Sequence, residues 1–153
     1  MSRGSVLLTL KFRSDPKMLC VVRGALEKLT EVLGLPPEAC RAVVLAVDEA
    51  LTNVIRHAYL GRTDEPVEVT FRHCQAHGDD GSRDALEIVL EDHGIPVKAE
   101  EMRGRSLDEV RPGGLGLHFI RENMDRVKFH YEDGTNHLHL VKFLEPVTPH
   151  QDS

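Results

Sequence analysis

The sequence predicts an α+β domain: a two-layer sandwich with helices packed on one face of a mixed, mainly antiparallel sheet. Three observations predict it. Period-two alternation marks short strands towards both ends of the chain, the later strands come in hairpin pairs, and the two longest helical patterns follow one another directly. The order read in this way is β-α-α-β-β-loop-α-β-β.

Each element has its own local reason. Val6, Leu8, Leu10 and Phe12 alternate with other residues and give the first strand. Asp15-Pro16 supplies an N-cap followed by proline at the first helical position. Met18, Val22, Leu26, Leu29 and Leu33 keep a helical spacing until Gly34 and Pro36-Pro37 stop it. A second helix starts near Glu38, and Val43, Ala46, Val47, Ala50, Val54 and Ala58 cluster around one direction of it. Gly61 and the polar run to Pro66 end that helix. Val67, Val69 and Phe71 read as a strand and Leu86, Ile88 and Leu90 as its neighbour, joined by the Gly/Asp loop near Gly78. Between Val97 and Gly113 periodicity is lost; about seventeen residues without regular structure in a compact domain are usually functional, often a lid. A short helix with Leu117, Ile120 and Met124 on one side follows, then a strand (Val127, Phe129, Tyr131), a turn at Asp133-Gly134 and a last strand from Leu138 to Phe143. One domain over residues 1–145 and a frayed tail at 146–153 are expected.

Bulk properties bound the function. The 153 residues, 41% of them apolar and 29% charged, describe an ordinary soluble globular chain. A net charge of −6 argues against a general nucleic-acid binder, because phosphate backbones reward a basic face. No apolar run approaches the ~20 residues that span a bilayer, and the MSRGS start has no signal-peptide core, so no membrane partner and a cytoplasmic location are expected. Cys20, Cys40 and Cys74 are odd in number and widely spaced, which suggests neither a disulfide framework nor a zinc knuckle. His73, Cys74 and His77 read as a solvated hairpin end, and His130, His137 and His139 as surface or half-buried strand residues.

Three segments carry chemistry. In Asp48–Tyr59, Glu49, Asn53 and His57 recur at steps of four along the flank of the apolar stripe, where oxygen-bearing side chains can hold a hydrated hard cation. His57 lies nearer the core direction and reads as a packed, hydrogen-bonded histidine. In Glu91–Pro96, Asp92 is an acceptor for an exocyclic amine, and Gly94 lets a flat ring approach the backbone. In Arg111–Leu117, glycines opening a helix leave free N–H groups and a partial positive pole, which suits phosphate.

DEALTNVIRHAY, DHGIP and GGLGL, in this order and spacing, resemble the N-box and the two glycine boxes of the GHKL ATPase superfamily (gyrase, the heat-shock chaperone, histidine kinases, mismatch-repair ATPases). Within it the chain is most similar to the anti-sigma factor serine kinases of bacterial partner-switching systems, from the first strand to the Gly134-Thr135 turn. The resemblance implies a Bergerat-type sandwich that uses ATP and Mg²⁺. It implies that Asn53 coordinates the Mg²⁺, that Glu49 is the general base for the attacking hydroxyl, and that Asp92 receives the adenine amine with Gly94 beside the ring. Gly113, Gly114, Leu115, Gly116 and Leu117 are expected to line the phosphates beneath the lid, and Thr135 to make a second adenine-side contact. Arg103 and Arg105 are both candidates for the terminal phosphate. The implied activity is phosphoryl transfer to a serine or threonine of an anti-anti-sigma (STAS) protein, with a sigma factor as competing partner and a homodimer formed through the first strand-helix region. Three alternatives stand beside it: a non-catalytic ATP-binding switch, an interaction domain with a decayed nucleotide site, and a histidine-kinase catalytic domain. The last normally brings a dimerising helix with a phospho-accepting histidine, which the Asp15–Leu33 helix lacks.

Overall fold

The computed structural model describes residues 4–78, 81–96 and 116–144. Strand β1 (Ser5–Arg13) leads through a 3₁₀ turn at Pro16–Met18 into helices α1 (Leu19–Val32) and α2 (Pro37–Asn53). Strands β2 (Pro66–Gly78) and β3 (Gly81–Asp92), helix α3 (Leu117–Asn123) and strands β4 (Arg126–Glu132) and β5 (Thr135–Phe143) complete the described elements. The strands form one sheet in the order β1-β2-β3-β5-β4, and every pairing in it is antiparallel.

The helix boundaries follow the local chemistry. The Asp15 carboxylate accepts from the Lys17 backbone N–H at 3.0 Å, capping the turn that starts α1. At the other end Gly34 adopts φ 79°, its N–H reaches Glu31 O, and the Leu35 N–H reaches Thr30 O, both at 3.0 Å. This is the Schellman arrangement that glycine makes cheap.

The stripe on α2 is buried as its spacing predicts: Val43, Ala46, Val47 and Ala50 are fully enclosed. They share one core with Val22 and Leu26 of α1 and with Phe71, Leu86, Ile88, Leu90 and Leu140 of the sheet. Full burial of each larger apolar side chain contributes about 1.5–3 kcal/mol, so this shared face is what holds the two layers together.

Two features differ from the sequence expectation. The β2–β3 hairpin pairs all the way to Gly78↔Gly81, so its strands are longer and its loop shorter than the Gly/Asp run suggested. The α-helical part of α2 stops at Asn53 and gives way to a π-helical turn at Val54–Ala58, closed by a Tyr59 N–H to Val54 O bond of 2.9 Å. Among the described residues no helix is long and apolar enough to cross a membrane. The expected lid at 97–113 and the tail at 146–153 lie outside the described residues.

Candidate active site

The π turn matters because of what it does to one carbonyl. Single-turn π segments inside α-helices are frequent at functional sites. Here the wider turn accompanies an Ala58 oxygen that accepts from the Ile95 N–H at 2.9 Å, tying the end of the helix to the loop after β3. The approach is so close that a Cβ on Gly94 would lie 2.3 Å from that oxygen. Gly94 is therefore a glycine because helix backbone occupies the space a side chain needs.

Tyr59 fastens the same junction. Its buried hydroxyl donates to Pro66 O at 2.5 Å and accepts from the His93 N–H at 2.8 Å. Burial, ahead of the opposing His93 hydrogen bond, raises the pKa of the phenol, so it stays a neutral donor.

Asp92, at the end of β3, is only 5% exposed. One carboxylate oxygen accepts from the Gly94 N–H at 2.9 Å and from Asn136 Nδ2 at 2.8 Å. Desolvation raises its pKa above the ordinary carboxylate value, and these two hydrogen bonds pull against that rise.

A narrow cavity of about 40 Å³ opens between α2, α3 and the sheet. Its walls are apolar (Ala50, Val54, Ala58, Leu90, Leu117, Phe129 and Leu138), and its polar groups are Asn53, Asp92 and Asn136.

The second carboxylate of the sequence constellation meets the glycine turn. Glu49, half-buried and one helical turn before Asn53, packs against Gly116: a Cβ there would fall 2.1 Å from Glu49 Oε1. Gly116 has φ 60° at the entry to α3, and its carbonyl accepts from the Ile120 N–H at 3.0 Å. Glycine suits this position through its left-handed backbone, and a side chain there would also displace the Glu49 carboxylate.

The structure thus gathers Asn53, Asp92 and Leu117 around one cavity, sets Gly94 against the helix end beside it, and places Glu49 on Gly116. Gly113, Gly114, Leu115, Arg103 and Arg105 lie outside the described residues. Thr135 sits with its hydroxyl 3.0 Å from His93 Nδ1, while the contact to Asp92 is made by its neighbour Asn136. His57 is half-buried in the π turn.

Asn136 and Tyr59 were not singled out from sequence. The signal for Asn136 existed in the alternation Asn136-Leu138-Leu140, which shares the inward face. Using it required the hairpin register: Asp133 (φ 52°) and Gly134 (φ 79°) form the two-residue turn, so Thr135 pairs with Glu132 and Asn136 with Tyr131 and Asp92.

The donor set fits a magnesium ion carried mainly by phosphate and water. Glu49 and Asn53 offer hard oxygens one turn apart, and among the described residues no three His, Cys, Asp or Glu side chains form a ready-made metal cage. His73 and His77 pair instead with Asp84 and Ser82 along the hairpin, and Cys74 is buried.

The histidine kinase-like ATPase domain matches residues 12–142. The chain belongs to that family. Among curated proteins it is similar to "Serine-protein kinase RsbW" of Listeria innocua, 28% identical over 145 residues that make up 90% of this chain and 87% of the relative. It is likewise similar to the Bacillus pumilus protein of the same name, 29% identical over 146 residues, 90% of this chain and 86% of the relative. A solved structure, the RsbU and RsbW domains of Rv1364c from Mycobacterium tuberculosis, shares the fold with a TM-score of 0.57 at 16% identity. That superposition covers 92% of this chain and 34% of the other.

Proposed function

We propose that the protein is an ATP-dependent serine/threonine-protein kinase of the partner-switching kind. It transfers the γ-phosphoryl group to a serine of an anti-anti-sigma (STAS) protein and binds a sigma factor in competition with it. The observation that carries this reading is the convergence of a buried acceptor, Asp92, with Asn53 and Leu117 on one small cavity, while Glu49, one helical turn before Asn53, packs against Gly116, the neighbour of Leu117. The names of the curated relatives and the family match support the kinase class.

Phosphoryl transfer needs little covalent chemistry from a protein; positioning and charge neutralisation supply most of the rate. Asp92 and Asn136 anchor the base, and the apolar walls exclude water from it. Asn53, through its carboxamide oxygen, would hold Mg²⁺, which offsets phosphate charge when bound. The Glu49 carboxylate takes the proton of the acceptor hydroxyl. The contact of Glu49 with Gly116 at the entry of α3 supports that role, and backbone N–H groups of the glycine-rich segment are expected to meet the phosphates.

The partner surface is read from the first strand-helix region. Among the described residues strand β1 is an edge of the sheet, and Val6 and Leu7 on it and Val21 on α1 are exposed. A homodimer formed there, with the sigma factor gripped beside it, accounts for these exposed apolar groups.

The test is direct. The purified protein with γ-labelled ATP and its cognate STAS protein should place label on one serine, and Glu49→Ala should abolish that label while sparing ATP binding. Tight ATP binding without transfer points instead to a nucleotide-gated switch. Full transfer by Glu49→Ala removes the base assignment.

A further inference from the structure

The Asn136 side chain is 2% exposed and is held by its amide nitrogen alone. Nδ2 donates to Asp92 Oδ1 at 2.8 Å and lies 3.2 Å from Ile95 O and 3.3 Å from Gly94 O. Three oxygens around one nitrogen fix which way the amide points, because flipping it would set its own oxygen against all three. The carbonyl oxygen, Oδ1, is left buried with no hydrogen-bond partner. Buried polar groups are almost always satisfied, and one that is not calls for an explanation. Asn136 lines the cavity together with Asp92 and Asn53, among walls that are otherwise apolar, so this oxygen is available to a ligand that enters.

Asp92 presents a second acceptor beside it. Its Oδ1 is engaged by Asn136 and the Gly94 N–H, and its Oδ2 has no hydrogen-bond partner among the described residues. An edge with two acceptors and no spare donor asks for a ligand group with two N–H bonds.

Resting on the nucleotide reading above, we propose that Asn136 is a specificity-determining residue whose Oδ1 takes the second hydrogen of a primary exocyclic amine while Asp92 takes the first. The ligand class is an adenine nucleotide with an unsubstituted 6-amino group. The cost of the orphaned carbonyl in the free protein is recovered only by a ligand that brings both hydrogens. An amine with one hydrogen leaves one of the two acceptors buried and unpaired, which is penalised more heavily than a missing contact in water.

N6-methyl-ATP separates this from recognition by Asp92 alone. With a single acceptor, the methylated amine turns its remaining hydrogen to Asp92 and binds nearly as well as ATP. With two acceptors it cannot serve both. Calorimetric titration of the wild-type protein should therefore give a dissociation constant on the order of 10- to 30-fold weaker for N6-methyl-ATP than for ATP, the scale of one desolvated acceptor left unpaired. Asn136→Leu keeps the bulk of the side chain and removes the acceptor. It weakens both ligands by releasing Asp92, and the ratio between them should fall to about 3-fold or less.

Equal affinities for the two ligands in the wild type overturn the proposal. So does an unchanged ratio in Asn136→Leu, which would assign the discrimination to crowding around the methyl group. Guanine could offer its N1–H and 2-amino group to the same two acceptors, so GTP binding more tightly than ATP also overturns it. Failure of the wild type to bind ATP at all strikes the nucleotide reading itself, and is told apart from the other results by that first titration.

Discussion

Asp92 and Glu91 are adjacent carboxylates on β3, and each faces a partner on β5: Asp92 pairs with Asn136 and Glu91 with His137. The two rungs share backbone, register and chemistry, and differ in which side of the sheet they occupy. The inner pair lies against the helices, with Asp92 5% and Asn136 2% exposed. The outer pair lies towards solvent, where the Glu91 and His137 side chains are 32% and 21% exposed and 3.2 Å apart. Beyond it His137 stacks on His130 with ring centroids 4.4 Å apart. On the inner side desolvation raises the carboxylate pKa and leaves one carbonyl without a partner. A pair that only stabilised the fold would sit better on the outer side. On the function proposed above, the inner pair is kept for ligand binding, in keeping with the general trade between stability and function.

Replacing the inner carboxylate should break this contrast most visibly. Asp92→Asn keeps the shape and the partner but removes the charge. ATP affinity should fall by about 10- to 150-fold, the scale of a charged hydrogen bond worth about 1.5–3 kcal/mol. The melting temperature near neutral pH should hold or rise. Calorimetry and thermal melting on the same sample check both halves. A variant that melts well below the wild type would show that Asp92 is kept for stability after all.

The next effect tests the junction that supports the inner pair. In Gly94→Ala the new methyl meets Ala58 O, a helix backbone atom that cannot swing away as a side chain tip can. Destabilisation of about 1–3 kcal/mol, the usual cost of overpacking, is expected, together with weaker ATP binding because the Asp92 loop has to move. Gly134→Ala is the control. It meets no atom within 4 Å, so only its φ of 79° opposes the change, and ATP affinity should be retained.

How much of this was legible in the sequence depends on what each feature needs. The sheet, the helices and the α2 stripe were readable because burial imposes periods of 2 and 3.6 on apolar residues, and Val43, Val47 and Ala50 obey them. That Asn53 and Asp92 share a cavity, with Gly94 and Glu49 beside it, was foreshadowed by chemistry-bearing residues standing next to that pattern. The role of Asn136 was not, since one residue of hairpin register decides whether it or Thr135 faces Asp92. The π turn was equally hidden. Nothing in the composition of Val54–Ala58 marks the added residue per turn, which shows in the Tyr59 N–H to Val54 O hydrogen bond.

Acid titration sharpens the comparison with a smaller effect. The folded-state pKa of Asp92 is raised, so the folded chain holds that proton more tightly than the unfolded chain. Its contribution to stability is complete below the unfolded aspartate pKa, about 3.9, and is lost as pH rises through the folded value. Asn at 92 imitates the protonated form at every pH. The stability difference between Asp92→Asn and wild type should therefore be greatest near neutrality and close as the pH falls towards about 4. Glu87, whose pKa is lowered by its hydrogen bond with His139, acts in the opposite direction, with stability present above the unfolded value and lost on acidification. Subtracting the two unfolding curves cancels that shared background and leaves Asp92 alone.

The smallest expected effect is on the outer rung, and it bounds the rest. Glu91→Gln removes the carboxylate from a partly exposed contact with His137, and such pairs are worth about 0–1 kcal/mol even where both partners are charged. Stability should change by about 0.5 kcal/mol or less, and ATP affinity by less than about twofold, well under the 1.4 kcal/mol that marks a tenfold change. Because Glu91 and Asp92 share a peptide bond, this variant asks whether the backbone alone carries charge information between the faces. If Glu91→Gln weakened ATP binding as much as Asp92→Asn, burial would not be what distinguishes the two rungs. The nucleotide site would then have to extend through the sheet to the histidine row at 130, 137 and 139.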